Sequence, residues 1–234
     1  MNFSKKLILA LDFNQEKTVL DWVEQCLPYV SKFKVGKELF TACGPSIVEK
    51  IQKKGGEVFL DLKFHDIPNT VYQAVLQASK LNIFMLNVHV LGGRKMLEAA
   101  YQGIQKSQYH PILLGVTVLT SLNEKDLGEL GFQKSQKELV LSYAELANQC
   151  GLDGVVASVQ EGKNVKKKLG QNFVIVSPGI RWQDSVVKND DQASKATVQE
   201  ALDAKIDYLV LGRSIFQASD PIQQLTELIE KHTQ

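Results

Sequence analysis

Eight short apolar runs rich in β-branched residues recur along this chain, and amphipathic stretches lie between most of them. The runs fall at 7–11, 33–35, 58–62, 84–90, 112–119, 154–157, 174–176 and 208–211. The amphipathic stretches fall at 16–27, 45–53, 70–79, 94–105, 136–149, 161–169 and 198–204, and 221–232 closes the chain as a last helix. A strand covered on both faces reads as a continuous apolar run, and parallel strands need a long crossover, usually a helix. The alternation therefore predicts βαβ units, and eight of them in 234 residues predict a (β/α)8 TIM barrel. A doubly wound open sheet is the competing α/β architecture. Its dinucleotide-binding form is disfavoured, because no G-x-G-x-x-G turn follows the first run. No linker, repeat or low-complexity segment divides the chain, so a single barrel domain over 1–234 is expected.

Charge and cysteine usage narrow the class. A net charge of +1 gives no general attraction to nucleic acid or to an anionic membrane. No apolar run approaches the ~18 residues of a membrane span. The basic start, Met1 to Lys6, is followed by an apolar run at 7–11, too short for a secretory core. The three cysteines, Cys26, Cys43 and Cys150, are widely spaced and form no CxxC pair. They read as reduced thiols of a cytoplasmic protein.

In such a barrel, chemistry sits at the C-terminal strand ends. Asp12 follows the first run, Lys34 lies on the second facing away from Phe33 and Val35, and Asp61 and Lys63 end the third. His89, Thr120-Ser121 and Ser158 end the next three. The seventh runs into Ser177-Pro178-Gly179-Ile180-Arg181 and the eighth into Gly212-Arg213-Ser214. Polar groups gathered on one rim favour an enzyme over a structural protein. Asp61 and Lys63 are two residues apart, which on a strand points both to one side. Burying such groups costs several kcal/mol each unless they pair or do chemistry. The segment 61–70 thus admits a structural ion pair with Asp66 as a helix N-cap, or a reactive centre. Arg181 and Arg213 suggest an anionic substrate, since the planar guanidinium matches phosphate and Gly179 and Gly212 let backbone approach closely. Turn glycines beside surface arginines are the plainer alternative. His65, His89, His110 and His232 show no HxH or HxxxH spacing, so no metal centre is expected, although an Asp-rich rim could hold Mg²⁺ through few ligands.

These motifs, from Leu9-Ala10-Leu11-Asp12 through Phe33-Lys34-Val35-Gly36-Lys37-Glu38-Leu39-Phe40, Asp61 to Thr70, Val116 to Ser121 and Pro178-Gly179-Ile180-Arg181 to Leu211-Gly212-Arg213, resemble in kind and order the orotidine 5′-phosphate decarboxylase family of the bacterial type. The resemblance runs essentially end to end, and the segment 61–70 is its most specific part. It implies conversion of orotidine 5′-monophosphate to uridine 5′-monophosphate and carbon dioxide without cofactor or metal, with Lys63 as proton donor. Lys34, Asp61, Lys63 and Asp66 would form an alternating charge tetrad. Asp66, Ile67 and Thr70 would come from a neighbouring subunit, making the enzyme a homodimer with shared sites. Asp12 and Lys34 would bind the ribose, Thr120 and Ser121 the pyrimidine, and Arg181, Gln192, Gly212 and Arg213 the phosphate, with Pro178 beside it. The segment from Arg181 to Gln192 would be a closing lid. There the chain departs from the family pattern: Asp191-Gln192 follows Asp190 where Gly is frequent, Ala193-Ser194 stands where basic residues are usual, and Thr197-Val198 where Thr-Pro is common.

Two rivals accompany this expectation. A phosphosugar decarboxylase such as one acting on 3-keto-gulonate 6-phosphate shares the Asp-x-Lys-x-x-Asp spacing but resembles metal-dependent enolate chemistry. Lys34 with the residues 36–40, together with His65 and Ile67-Pro68-Asn69-Thr70, favours the orotidine family. A barrel that binds nucleotide without turnover is the other, and the intact Lys34, Asp61, Lys63 and Asp66 set argues against it.

Overall fold

The structure, a computed structural model, describes residues 3–182 and 196–232; Gln192 and the rest of 183–195 lie outside the described residues. In chain order the strands are β1 (Leu7–Ala10), β2 (Lys32–Gly36), β3 (Glu57–Phe64), β4 (Met85–His89), β5 (Ile112–Val116), β6 (Gly154–Val156), β7 (Val174–Ser177), β8 (Ile180–Arg181), β9 (Ala196–Thr197) and β10 (Tyr208–Leu211). The helices are α1 (Glu16–Cys26), α2 (Lys37–Cys43), α3 (Ser46–Lys53), α4 (Pro68–Ser79), α5 (Gly93–Lys106), α6 (Glu124–Glu129), α7 (Gln136–Gln149), α8 (Val159–Leu169), α9 (Val198–Asp203), α10 (Arg213–Phe216) and α11 (Pro221–His232). Strands β1 to β7 and β10 form a closed parallel barrel, sealed where β10 pairs with β1. The expected (β/α)8 architecture is therefore the observed one, and the open sheet is excluded by that closure.

Strand alternation builds two apolar layers. Ile8, Ala10, Phe59, Met85, Leu114, Val176 and Val210 fill the barrel interior. Leu7, Leu9, Phe33, Val35, Val58, Leu60, Leu86 and Val88 face the helices in the outer layer. Each fully buried side chain of this size contributes about 1.5–3 kcal/mol of transfer free energy. Lys32 and Lys34 both point inward from β2. Lys32 is neutralised near the closed end by Glu57 at 3.1 Å, with its ammonium 5.1 Å from the centre of the Phe84 ring. Lys34 stands two residues nearer the open end.

Several boundaries differ from the expectation. The first and fifth strands end at Ala10 and Val116, short of 11 and 119, because apolar continuity reports burial and not ladder pairing. Strand β3 runs on through Lys63 to Phe64, polar residues notwithstanding. Helices α2 and α6 and the pair β8–β9 escape periodicity because they span two turns or fewer. Ser158, read as a polar rim residue, is the N-cap of α8: its hydroxyl accepts from the Glu161 backbone while the Glu161 carboxylate accepts from the Ser158 N–H. Thr197 caps α9 in the same way with Glu200, so Val198 in place of proline leaves the helix start intact.

Candidate active site

The open end of the barrel encloses a cavity of about 280 Å³. Its apolar wall comes from inward-pointing strand residues: Ala10, Phe59, Val116, Val156, Val176 and Val210. Polar groups occupy the next level up. Asp12, Lys34, Asp61 and Lys63 stand along one side, and Pro178, Gly179, Arg181, Gly212 and Arg213 stand along the loops after β7 and β10. Thr120 lies on the lining between them, whereas Ser121 is exposed and off it.

The four charged residues of the first side form a chain of alternating sign. The Lys34 ammonium lies 2.8 Å from Asp12 Oδ1 and 3.6 Å from Asp61 Oδ2. The Lys63 ammonium lies 2.6 Å from Asp61 Oδ1. Asp61 is buried, 9% exposed, and burial on its own would push its carboxyl up. The charges of Lys34 and Lys63, with hydrogen bonds from Lys63 and Asn87, outweigh that and hold it below the ordinary aspartate range. It is thus a carboxylate at neutral pH.

Lys63 does not reach Asp61 by plain strand alternation. Its backbone is left-handed, with φ 51°, at an irregularity where the pairing of β3 with β4 shifts register. The inward-pointing set of β4 is Met85, Asn87 and His89, and Asn87 supports the irregularity from across the ladder. Sequence reasoning missed Asn87, although the period of two through Met85 and His89 was the signal that placed it inside. His89 is half-buried and packs against His65 with ring centroids 5.3 Å apart. Burial, then the charges of His65, Lys63 and Lys37, depress its imidazole to about 4 against the opposing pull of Asp61. It is neutral at neutral pH and adds no charge to the rim.

Asp66, Ile67 and Thr70 stand apart from this chain's own cavity. All three are exposed, Ile67 at 67%. Asp66 Oδ1 accepts a hydrogen bond from the Ile67 N–H at 2.6 Å, and the N-cap of α4 is Ile67, with no side-chain cap. Asp66 therefore does not cap the helix, and its carboxylate faces outward beside a large exposed apolar side chain. Gln192 lies outside the described residues. Arg181 is buried on β8, its Nη1 donating to the Ile180 carbonyl at 3.2 Å. At Gly36, the last residue of β2, a Cβ would stand 3.0 Å from the Lys34 ammonium and 3.4 Å from Asp12 Oδ1, so a side chain there would press on that ion pair. Among the described residues no group of three or more His, Cys, Asp or Glu is placed to hold a metal ion. No described helix is long and apolar enough to cross a membrane.

The arrangement gathers two ammonium groups and two carboxylates in alternation, together with Arg181 and Arg213, around one cavity with an apolar floor. It can hold an anion at one end and stabilise or protonate a carbanion at the other. A family model described as "Orotidine 5'-phosphate decarboxylase / HUMPS family" matches residues 5–228. The orotidine 5′-phosphate decarboxylase of Saccharophagus degradans is 49% identical over 95% of this chain and 93% of its own. The one from Hydrogenovibrio crunogenus is 47% identical over 95% of this chain and 94% of its own. The crystal structure of orotidine 5′-phosphate decarboxylase from Lactobacillus acidophilus superposes with a TM-score of 0.84 at 35% identity, covering 97% of this chain and 98% of that one.

Proposed function

The chain belongs to the orotidine 5′-phosphate decarboxylase / HUMPS family, and from that premise we propose that it converts orotidine 5′-monophosphate to uridine 5′-monophosphate and carbon dioxide, the closing step of uridylate synthesis. The observation that carries this is the alternating chain Asp12, Lys34, Asp61, Lys63 lining the same cavity as Arg181 and Arg213.

Loss of carbon dioxide leaves an electron pair on a ring carbon that cannot delocalise it. Preorganised charge must stabilise that pair, and an ammonium in a closed, apolar cavity does so far more strongly than in water. Lys63 is that ammonium; it then delivers the proton that replaces the carboxylate. Asp61 keeps Lys63 charged and aimed, and stands near the departing carboxylate. Two like charges about 4 Å apart repel by roughly 4 kcal/mol at an effective dielectric near 20, so expelling carbon dioxide relieves that repulsion. Asp12 and Lys34 hold the ribose hydroxyls, Thr120 on the cavity lining meets the pyrimidine, and Pro178, Arg181, Gly212 and Arg213 take the phosphate. Binding of that remote phosphate compensates for stress at the reacting end. The protein's own charges do the work, with no cofactor or metal.

The outward Asp66, with exposed Ile67 and Thr70, supports a homodimer in which each subunit lends these residues to its partner's cavity. The family match over 5–228 supports one barrel domain, and the free thiols of Cys26, Cys43 and Cys150 suit the cytoplasm. The direct test mixes purified protein with orotidine 5′-monophosphate and follows ultraviolet absorbance with and without EDTA. An EDTA-resistant change to the uridylate spectrum is expected. No change with folded protein overturns the reaction and turns the choice to the phosphosugar chemistry, and loss of activity in EDTA overturns its metal independence.

A further inference from the structure

We propose that Asn87 is a positioning residue of this decarboxylase, tying the Asp61 carboxylate to the Lys63 backbone so that the Lys63 ammonium stays aimed into the cavity; this rests on the function proposed above. The argument starts from register. Leu60 pairs with Leu86 and Phe64 with Val88, so Asp61, Leu62 and Lys63 stand opposite Asn87 alone. The regular ladder is broken there, and the backbone of Lys63 turns left-handed at φ 51°, a region disfavoured for any residue with a Cβ.

Asn87 fills that gap with its side chain. Its Nδ2 donates to Asp61 Oδ1 at 2.7 Å, and its Oδ1 accepts from the Lys63 N–H at 2.8 Å. Only one orientation of the amide serves both, because a carboxylate can only accept and a backbone N–H can only donate. The residue is 1% exposed, so water cannot substitute freely for either bond. Asp61 Oδ1 also receives the Lys63 ammonium at 2.6 Å. The result is a closed ring: Lys63 backbone, Asn87 amide, Asp61 carboxylate, Lys63 ammonium. Both ends of the reacting side chain are thereby referred to one rigid strand, β4. Reactive groups perform only when such supports fix them within a fraction of an ångström.

Asn87→Leu removes both bonds while keeping the number and branching of side-chain heavy atoms, and Asn87→Asp keeps the acceptor for the Lys63 N–H while setting a second carboxyl against Asp61. Steady-state turnover of orotidine 5′-monophosphate is measured for both beside wild type, after circular dichroism melts show folded protein. Expected for Asn87→Leu is a kcat lower by about 10- to 100-fold with KM unchanged, the range seen when a supporting hydrogen bond behind a reactive group is lost. The acid limb of kcat/KM should also move to higher pH, because Asp61 loses one donor to its anionic form. The charged groups around Asp61 are Asp12, Lys34 and Lys63, and the neutral His89 beside them titrates in the acid range. The limb is therefore compared within a His89→Gln background. Turnover near wild type overturns the proposal, as does a fall in kcat with an unmoved acid limb, which marks a merely structural bond. If Asn87→Leu does not fold, Asn87→Ser, too short to span both partners, is judged by the same criteria. Absence of turnover in wild type itself sinks the functional premise and the proposal with it.

Discussion

Lys63 is held in a conformation that its own backbone disfavours. A left-handed residue bearing a Cβ costs roughly 1–2 kcal/mol, and the ion pair with Asp61 and the bond to Asn87 offset it. Lys63→Ala is accordingly expected to fold and to bind uridine 5′-monophosphate, while kcat drops by at least about 10²- to 10⁴-fold. Calorimetric titration and single-turnover assays check the two halves; near-normal turnover would remove Lys63 from its role. Asp61 carries a pH dependence whose sign is fixed by its depressed pKa. Its charge contributes stability above the ordinary aspartate range and that contribution is lost as pH falls through the lower, folded value. Melting temperatures of wild type and Asp61→Asn across the acid range should converge toward low pH. Parallel curves would show that the pairing of Asp61 contributes nothing to the folded state.

At the scale of elements, the helix starts were written in the sequence as Ser158 with Glu161 and Thr197 with Glu200, yet a serine after a strand also suits an active-site rim. The structure assigns Ser158 to the cap of α8. Ser158→Ala should lower unfolding free energy by about 1 kcal/mol in urea titrations and leave kcat and KM unchanged. A loss of activity at constant stability would return Ser158 to the site. Strand β3 was the element least legible in advance. Its apolar part was plain, but its polar end belongs to the ladder only because β4 offers Asn87 and Val88 to pair with it.

Over the whole molecule, the expected division of the site between subunits predicts complementation. Inactive Asp61→Ala and Asp66→Ala variants, mixed under conditions where subunit exchange is demonstrated, should regain up to a quarter of wild-type activity, because a statistical half of the dimers then carry one intact site of two. Exchange without recovery would confine each site to one chain. The barrel itself followed from local pattern: eight apolar runs spaced by amphipathic helices leave few ways to bury both faces of a parallel sheet. The rim residues Asp12, Lys34, Asp61, Lys63, Arg181 and Arg213 followed too, since a strand's end is a local property and the C-terminal rim is where such barrels act. Distances could not follow. The 2.6 Å contact of Lys63 with Asp61 and the left-handed turn that permits it lie within β3, but they depend on the Asn87 amide that reaches Asp61 from 26 residues further along the chain. Short-range spacing determines which residues arrive at the open end. Only closure of the barrel, which sets the register of each strand on its neighbour, decides which of them touch.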